Sequence, residues 1–418
     1  MTRETDMLSL GQAAKQASTQ MRLTSEDTRN TALKYMAKEI RKAASAILEA
    51  NAKDMTAATE KGLSGAMLDR LKLDLGRVAG IADGLEAIAE LPDPVGAIEK
   101  SWTQPNGLQF AQVRVPIGVI GMIYESRPNV TADAGGLCVK SGNACVLRGG
   151  SESVRSNKAI HAALQSGLRA ADLPAASISL VQTTDRAAVG DMLRGLGGAI
   201  DIIIPRGGKG LVARVQEDAR VPVLAHLEGL NHSYIHADAD IEEAVKIIEN
   251  AKLRRTGVCG STETVLVDTE IAGRALPILA ARIGERCEMR GDARACAIIP
   301  DIKPASDADF VTEHLAAILN IAVVDGLQDA LAHISKYGSG HTDAILTENT
   351  EAANDFLNSV DSAIVLHNAS TQYADGGEFG FGAEIGIATG RLHARGPVGA
   401  QHLTTYKYQV RGTGQVRP

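Results

Sequence analysis

Aromatic residues are scarce in this chain: one Trp, seven Tyr and five Phe among 418 residues. Stacking platforms for single-stranded nucleic acid need rows of such rings, so that class of binder is not expected. Positive charge is not in excess either; the formal net charge is −7, with no basic cluster or basic helix, which removes the electrostatic footprint of a nucleic-acid partner. No apolar run approaches the roughly 20 residues that span a bilayer. Met1–Leu10 carries Arg3, Glu4 and Asp6 and lacks the apolar core of a signal peptide, so a cytoplasmic location is expected. The five cysteines form no CxxC pair, which argues against a zinc ribbon or a disulfide framework and for reduced thiols. No metal site is expected. There is no GxGxxG and no Walker A sequence.

What remains is ordinary globular material, 44% hydrophobic and 22% charged, long enough for two domains. Residues 25–60 read as one amphipathic helix with Ser25 as N-cap and Leu33, Met36, Ile40, Ile47 and Leu48 on one face. A second helical stretch, Leu68 to Ile88, stops at Leu91-Pro92-Asp93-Pro94. Residues 108–115 alternate like an exposed strand or arm. Short apolar strands then follow at 119–124, 144–148, 178–182, 200–204 and 221–225, separated by helical stretches 131–140, 152–171, 186–195 and 209–218. Such alternation implies βαβ units and a mostly parallel sheet. A second series has helix 241–252, strand 263–268, helix 270–285, strand 296–300 and helix 307–318, enough for a sheet of its own. Residues 403–410 alternate again. Two α/β domains with a boundary near 226–232 are expected.

One segment concentrates reactivity. In Arg254-Arg255-Thr256-Gly257-Val258-Cys259-Gly260-Ser261-Thr262 a lone cysteine sits between two arginines and a turn of small residues. Nearby cations favour the nucleophilic thiolate; a small hydrophobe at a strand edge is the other reading of Cys259. Two glycine turns follow strands and open helices, Arg148-Gly149-Gly150-Ser151 and Pro205-Arg206-Gly207-Gly208. Each offers backbone N–H groups at a helix N-terminus beside a cation, which suits a phosphate, or is simply a tight strand-to-helix turn. Asn129, after Arg127-Pro128, can donate to an oxyanion or cap the next helix. Glu228 can serve as a base if buried, or as a hydrogen-bonded junction residue.

Taken together these segments resemble the aldehyde dehydrogenase superfamily, and within it the branch of acyl-phosphate reductases acting on L-glutamyl 5-phosphate. The stretches that carry the resemblance run Val115–Thr131, Lys140–Gly150, Ile204–Gly208, Tyr337–Thr342 and Glu378–Ile387. The resemblance implies an aldehyde-dehydrogenase-like α/β fold. A Rossmann-type cofactor domain would occupy 1–100 and 117–226, a catalytic α/β domain 227–400, and a small oligomerisation arm 101–116 and 401–418. It implies NADPH-dependent reduction of L-glutamyl 5-phosphate to L-glutamate 5-semialdehyde in proline biosynthesis, through a Cys259 thioester with Asn129 as oxyanion donor. A hydrolysing aldehyde dehydrogenase is the rival, disfavoured because Glu228 is displaced by about one position from the hydrolytic glutamate when the flanking residues are aligned. Arg148 stands where the superfamily has a lysine near the cofactor ribose, and an arginine fork suits a 2′-phosphate. Gly149, Ser151, Pro205, Arg206, Gly207, Gly208 and Glu313 would complete the cofactor site. Arg127, Arg254, Arg255, Arg391, His393 and Arg395 are the candidates for the charged ends of the substrate. A homo-oligomer, dimer or tetramer, and an association with glutamate 5-kinase complete the expectation.

Overall fold

The computed structural model describes residues 3–63 and 65–417. Two compact units divide the chain. The first comprises Met1–Ala225, Gly380–Gly386 and Val398–Pro418; the second comprises His226–Phe379 and Ile387–Pro397. The span read from sequence as 227–400 is therefore interrupted. Gly380–Gly386, and the chain from Val398 on, belong with the first unit.

The first unit is built on a four-stranded parallel sheet ordered Ile178–Leu180, Ala144–Gly149, Val119–Tyr124, Ile202–Arg206. Val119–Tyr124 is buried at every position, as a central parallel strand covered on both faces must be. The helical region 25–60 is two helices, Glu26–Lys42 and Ala44–Glu60. Ser25 caps the first by accepting from the Thr28 N–H, and Leu33, Met36, Ala37 and Ile40 bury its inner face. The break falls at Ala43 (φ −87°, ψ 5°), which ends one helix and opens the next. The following stretch also divides, into Gly65–Leu71 and Leu75–Ala89, because the Asp74 side chain caps the second helix on the Arg77 N–H. A separate antiparallel sheet joins Ile98–Thr103, Gln109–Pro116 and Thr404–Arg411.

In the second unit seven parallel strands run in the order Lys303–Pro304, Glu288–Gly291, Ile318–Val324, Thr262–Asp268, Asn231–Ile235, Thr342–Leu346, Ile364–His367. Three expectations fail here and in the neighbouring stretch of the first unit. Residues 296–300, read as a strand, lie mostly in helix Ala293–Ile298, which is capped by Asp292 on the Ala295 N–H. Residues 307–318 hold only the short helix Asp307–Phe310 before the chain enters strand Ile318–Val324. Residues 221–225 make a single bridge, Val223 to Ile203, rather than a strand. Among the described residues no helix is long and apolar enough to cross a membrane.

Candidate active site

Register places three candidate turns of the first unit side by side. Tyr124, at the end of the central strand, pairs with Gly149 on one flank and with Arg206 on the other. The carboxyl ends of open parallel strands are where ligands bind in such sheets. Gly149 admits no Cβ, which would collide with the Asn157 amide, and a Cβ at Gly207 would stand 2.5 Å from Glu125 Oε2. Glycine is needed at both for close approach rather than for positive φ.

Carboxylates of the chain meet some of the amides at both helix N-termini. The Gly208 N–H, at the start of helix Lys209–Asp218, donates to Glu125 Oε2 at 3.1 Å. At helix Val154–Ala170 the Ser156 N–H donates to the buried Asp54 carboxylate at 2.8 Å, as does the Arg155 N–H at 3.3 Å. The chain's own carboxylates hold these amides. The cations remain. The Nε atoms of Arg148 and Arg206 are buried and, among the described residues, have no hydrogen-bond partner. Arg148 otherwise donates to the Thr184 carbonyl at 3.4 Å, and burial lowers the pKa of its guanidinium. A buried, under-satisfied guanidinium is costly unless an anion meets it.

Asn129 stands just before helix Val130–Lys140, but its side chain caps nothing. Its Nδ2 donates instead to Asp133 Oδ2, one turn on, at 2.8 Å. Because an ionised carboxylate only accepts, this bond fixes which end of the Asn129 amide faces Asp133 and leaves the second N–H of Nδ2 for another acceptor. Burial pushes the Asp133 carboxyl up to about 6, with the Asn129 bond and the Arg206 charge pulling the other way.

In the second unit the backbone around Cys259 is locked from two sides. Asn231, fully buried, donates from Nδ2 to the carbonyls of Cys259 at 2.6 Å and Ser261 at 2.8 Å. Its Oδ1 accepts from the Thr342 N–H at 3.2 Å. Gly229 packs so closely on the Cys259 carbonyl that any Cβ would overlap it. The Gly229 N–H in turn donates to Glu313 Oε1 at 3.0 Å, so Glu313 is tied to the segment that abuts Cys259. Cys259 is half-buried, whereas Cys138, Cys145 and Cys287 are buried. Lys252 and Glu263, on either side of Cys259 in the sequence, form a buried ion pair at 2.8 Å. Glu263 also accepts from the Leu315 N–H at 3.4 Å, and burial pushes its carboxyl up to about 7 against the pull of Lys252.

The remaining candidates are more dispersed. Arg254 and Arg255 are exposed; Arg254 donates to Gln372 Oε1 at 3.3 Å. Arg391 and Arg395 both pair with Asp361, so a carboxylate of the chain already neutralises much of their charge. His393 is exposed at φ 81°. Arg127 and Glu228 are half-buried. A cleft of about 1360 Å³ beside Lys246, Asn250, Ile278 and Tyr373 includes none of the candidate residues.

Sequence reasoning missed two histidines. His226 and His341 each bring a ring nitrogen into a cluster with Cys259 Sγ in which the donor atoms lie within 4.8 Å of one another. Both stood in segments singled out from the sequence, but only the pairing of strands Asn231–Ile235 and Thr342–Leu346 brings such distant positions together.

A model of the aldehyde dehydrogenase family matches residues 2–306. A protein of Caulobacter vibrioides named gamma-glutamyl phosphate reductase is 61% identical over 413 residues, covering 99% of this chain and 100% of its own. One of the same name from Caulobacter sp. is 59% identical, with both chains covered in full. The crystal structure of gamma-glutamyl phosphate reductase from Thermotoga maritima superposes with a TM-score of 0.96 at 42% identity, covering 99% of this chain and 100% of that one. An acetylating aldehyde dehydrogenase from Geobacillus thermoglucosidasius, 19% identical with a TM-score of 0.70 and covering 100% of this chain and 98% of its own, shares the fold.

Proposed function

The chain belongs to the aldehyde dehydrogenase family, and within it to the gamma-glutamyl phosphate reductases; from that premise we propose how its residues divide the work. The reaction is the reduction of L-glutamyl 5-phosphate to L-glutamate 5-semialdehyde with release of phosphate, a step of proline biosynthesis that draws on a nicotinamide cofactor. Cys259 is the nucleophile. Its sulfur attacks the acyl carbon, phosphate departs, and a thioester remains, so that one hard step becomes two easier ones. The Asn129 amide steadies the oxyanion, with Asp133 holding its orientation. When bound, the cofactor supplies the hydride that reduces the thioester.

Arg148 and Arg206 fit an anionic cofactor, because each carries a buried guanidinium nitrogen with no hydrogen-bond partner among the described residues. Arg148 is assigned the 2′-phosphate, making NADPH the preferred form. Gly149, Ser151, Pro205, Gly207 and Gly208 shape the turns beside it, and Glu313 is assigned to the ribose. Arg127, Arg254, Arg255, Arg391 and His393 are the candidates for the α-carboxylate and phosphate of the substrate, with Arg391 having to leave Asp361 to take part. Glu228 has no general-base role, since a hydrolytic base would waste the thioester. The three-stranded arm, whose Tyr406, Tyr408 and Val410 are about half exposed, serves self-assembly into a dimer or tetramer. Association with glutamate 5-kinase would shield the labile acyl phosphate.

The observation that carries this reading is the setting of Cys259, an approachable thiol on a backbone that Asn231 and Gly229 hold rigid. Steady-state NADP⁺ reduction with L-glutamate 5-semialdehyde tests it. Turnover should require phosphate and vanish in Cys259→Ser; turnover independent of phosphate would mean hydrolysis instead.

A further inference from the structure

We propose that His341 is a further catalytic residue, its Nε2 taking the Cys259 thiol proton and passing it to the departing phosphate. His341 is fully buried at the mouth of strand Thr342–Leu346. Its Nδ1 lies 2.9 Å from Thr342 Oγ1, while its Nε2 is buried with no hydrogen-bond partner among the described residues. A buried ring nitrogen left unpaired is uncommon in a folded protein and calls for a role. The Cys259 Sγ is the reactive atom nearby, with the donor atoms of Cys259, His226 and His341 all within 4.8 Å of one another. No hydrogen bond to His341 Nε2 is formed among the described residues, as is common for catalytic pairs before substrate tightens them.

Two features fix the arrangement. Asn231 bonds the Cys259 carbonyl on one side and the Thr342 N–H, next to His341, on the other. His226 stacks edge-on against the His341 ring at 5.0 Å between centroids. A carbonyl only accepts, so the His226 Nδ1 that lies 2.9 Å from the Ile387 carbonyl carries its proton. Cys259 and His226 are titratable groups beside His341. Asp343, two residues on, is engaged elsewhere, by His232 Nδ1 at 3.0 Å and Ser362 Oγ at 2.5 Å.

The step balances without any external oxidant or reductant. The S–H bond breaks as its proton passes to Nε2. Sulfur bonds to the acyl carbon, and the C–O bond to phosphate breaks. Nε2 then returns the proton to the leaving oxygen, so that hydrogen phosphate departs and the imidazole is neutral again. In reverse, hydrogen phosphate attacks the thioester along the same path. The inference rests on Cys259 being the nucleophile toward an acyl phosphate.

The full chain carrying His341→Gln or His341→Ala provides the test, with thermal unfolding confirming that each variant folds. Alkylation of Cys259 by iodoacetamide at pH 7 should slow at least ~10-fold in both variants and recover to the wild-type rate near pH 10, where hydroxide removes the proton. Phosphate-dependent kcat should fall roughly 100-fold, and added imidazole should restore part of it in His341→Ala. A folded variant alkylated at pH 7 within twofold of the wild-type rate, or an alanine variant that imidazole does not rescue, overturns the proposal. If neither variant folds, the wild-type alkylation profile decides. An inflection in the imidazole range supports the relay, and a single inflection near ~8.5, the ordinary thiol value, refutes it. Alkylation needs no substrate, so loss of phosphate dependence in the wild-type protein would overturn the reductase reading alone.

Discussion

Replacing Asn231 by alanine removes three hydrogen bonds at once. The buried amide serves the carbonyls of Cys259 and Ser261 and the N–H of Thr342, and alanine leaves those backbone groups inside with no substitute. Each group stranded in this way costs about 1–2 kcal/mol, which sums to about 3–5 kcal/mol once partial relaxation is allowed. For a unit of this size about 1 kcal/mol moves the melting temperature by 2–4 °C, so the transition of the second unit should fall by about 6–20 °C. Asn231→Asp keeps the acceptor for Thr342 but turns a carboxylate toward two carbonyls, and should be at least as damaging. Differential scanning calorimetry reads the shift, and the alkylation rate of Cys259 reports whether its loop has come loose. A shift below about 2 °C with unchanged alkylation would refute the claim that Asn231 holds the nucleophile in place.

Asp133 makes stability depend on pH in a defined direction. Its carboxyl is raised in the folded chain to about 6 from 3.8, so the folded state binds a proton more tightly than the unfolded one. Its contribution is therefore most favourable below about 4 and is lost as pH rises through about 6. Asp133→Asn should gain stability relative to wild type across that window and hold the gain above it; a difference that does not vary between pH 4 and 7 would exclude this role. Lys252→Met strands the Glu263 carboxylate and should cost about 3–5 kcal/mol, most of it recovered in Lys252→Met/Glu263→Leu, as read from urea unfolding midpoints. Arg148→Ala should lower kcat/KM for NADPH by about 10–100-fold, the worth of a charge-assisted contact, while leaving NADH nearly unaffected. Equal losses with both cofactors would remove Arg148 from the 2′-phosphate.

The parallel sheets were legible because buried strands such as Val119–Tyr124 and Thr262–Asp268 read as continuous apolar runs between helices. The failures have local causes. Ala295 to Ile299 is apolar and short, a pattern that strand and helix share, and the Asp292 cap decides for helix. The break at Ala43 lies in a run of good helix formers that gives no signal of it. The motifs around Arg148, Arg206, Asn129 and Cys259 were visible as motifs, yet the carboxylates of Asp54 and Glu125 that occupy the helix N-termini were not. Asp54 is some hundred residues from the amides it holds. The same limit hid His341, whose neighbour Thr342 is joined to the Cys259 loop through Asn231.

The central claim is that the Cys259 thioester is resolved by hydride in one direction and phosphate in the other, never by water. Rapid mixing of the protein with L-glutamate 5-semialdehyde and NADP⁺, with phosphate rigorously excluded, tests it most directly. The prediction is a burst of NADPH stoichiometric with the chain followed by arrest, a thioester adduct on the Cys259 peptide by mass spectrometry, and renewed turnover when phosphate is added. Continued NADPH formation without phosphate, or a burst with no adduct on Cys259, would contradict it.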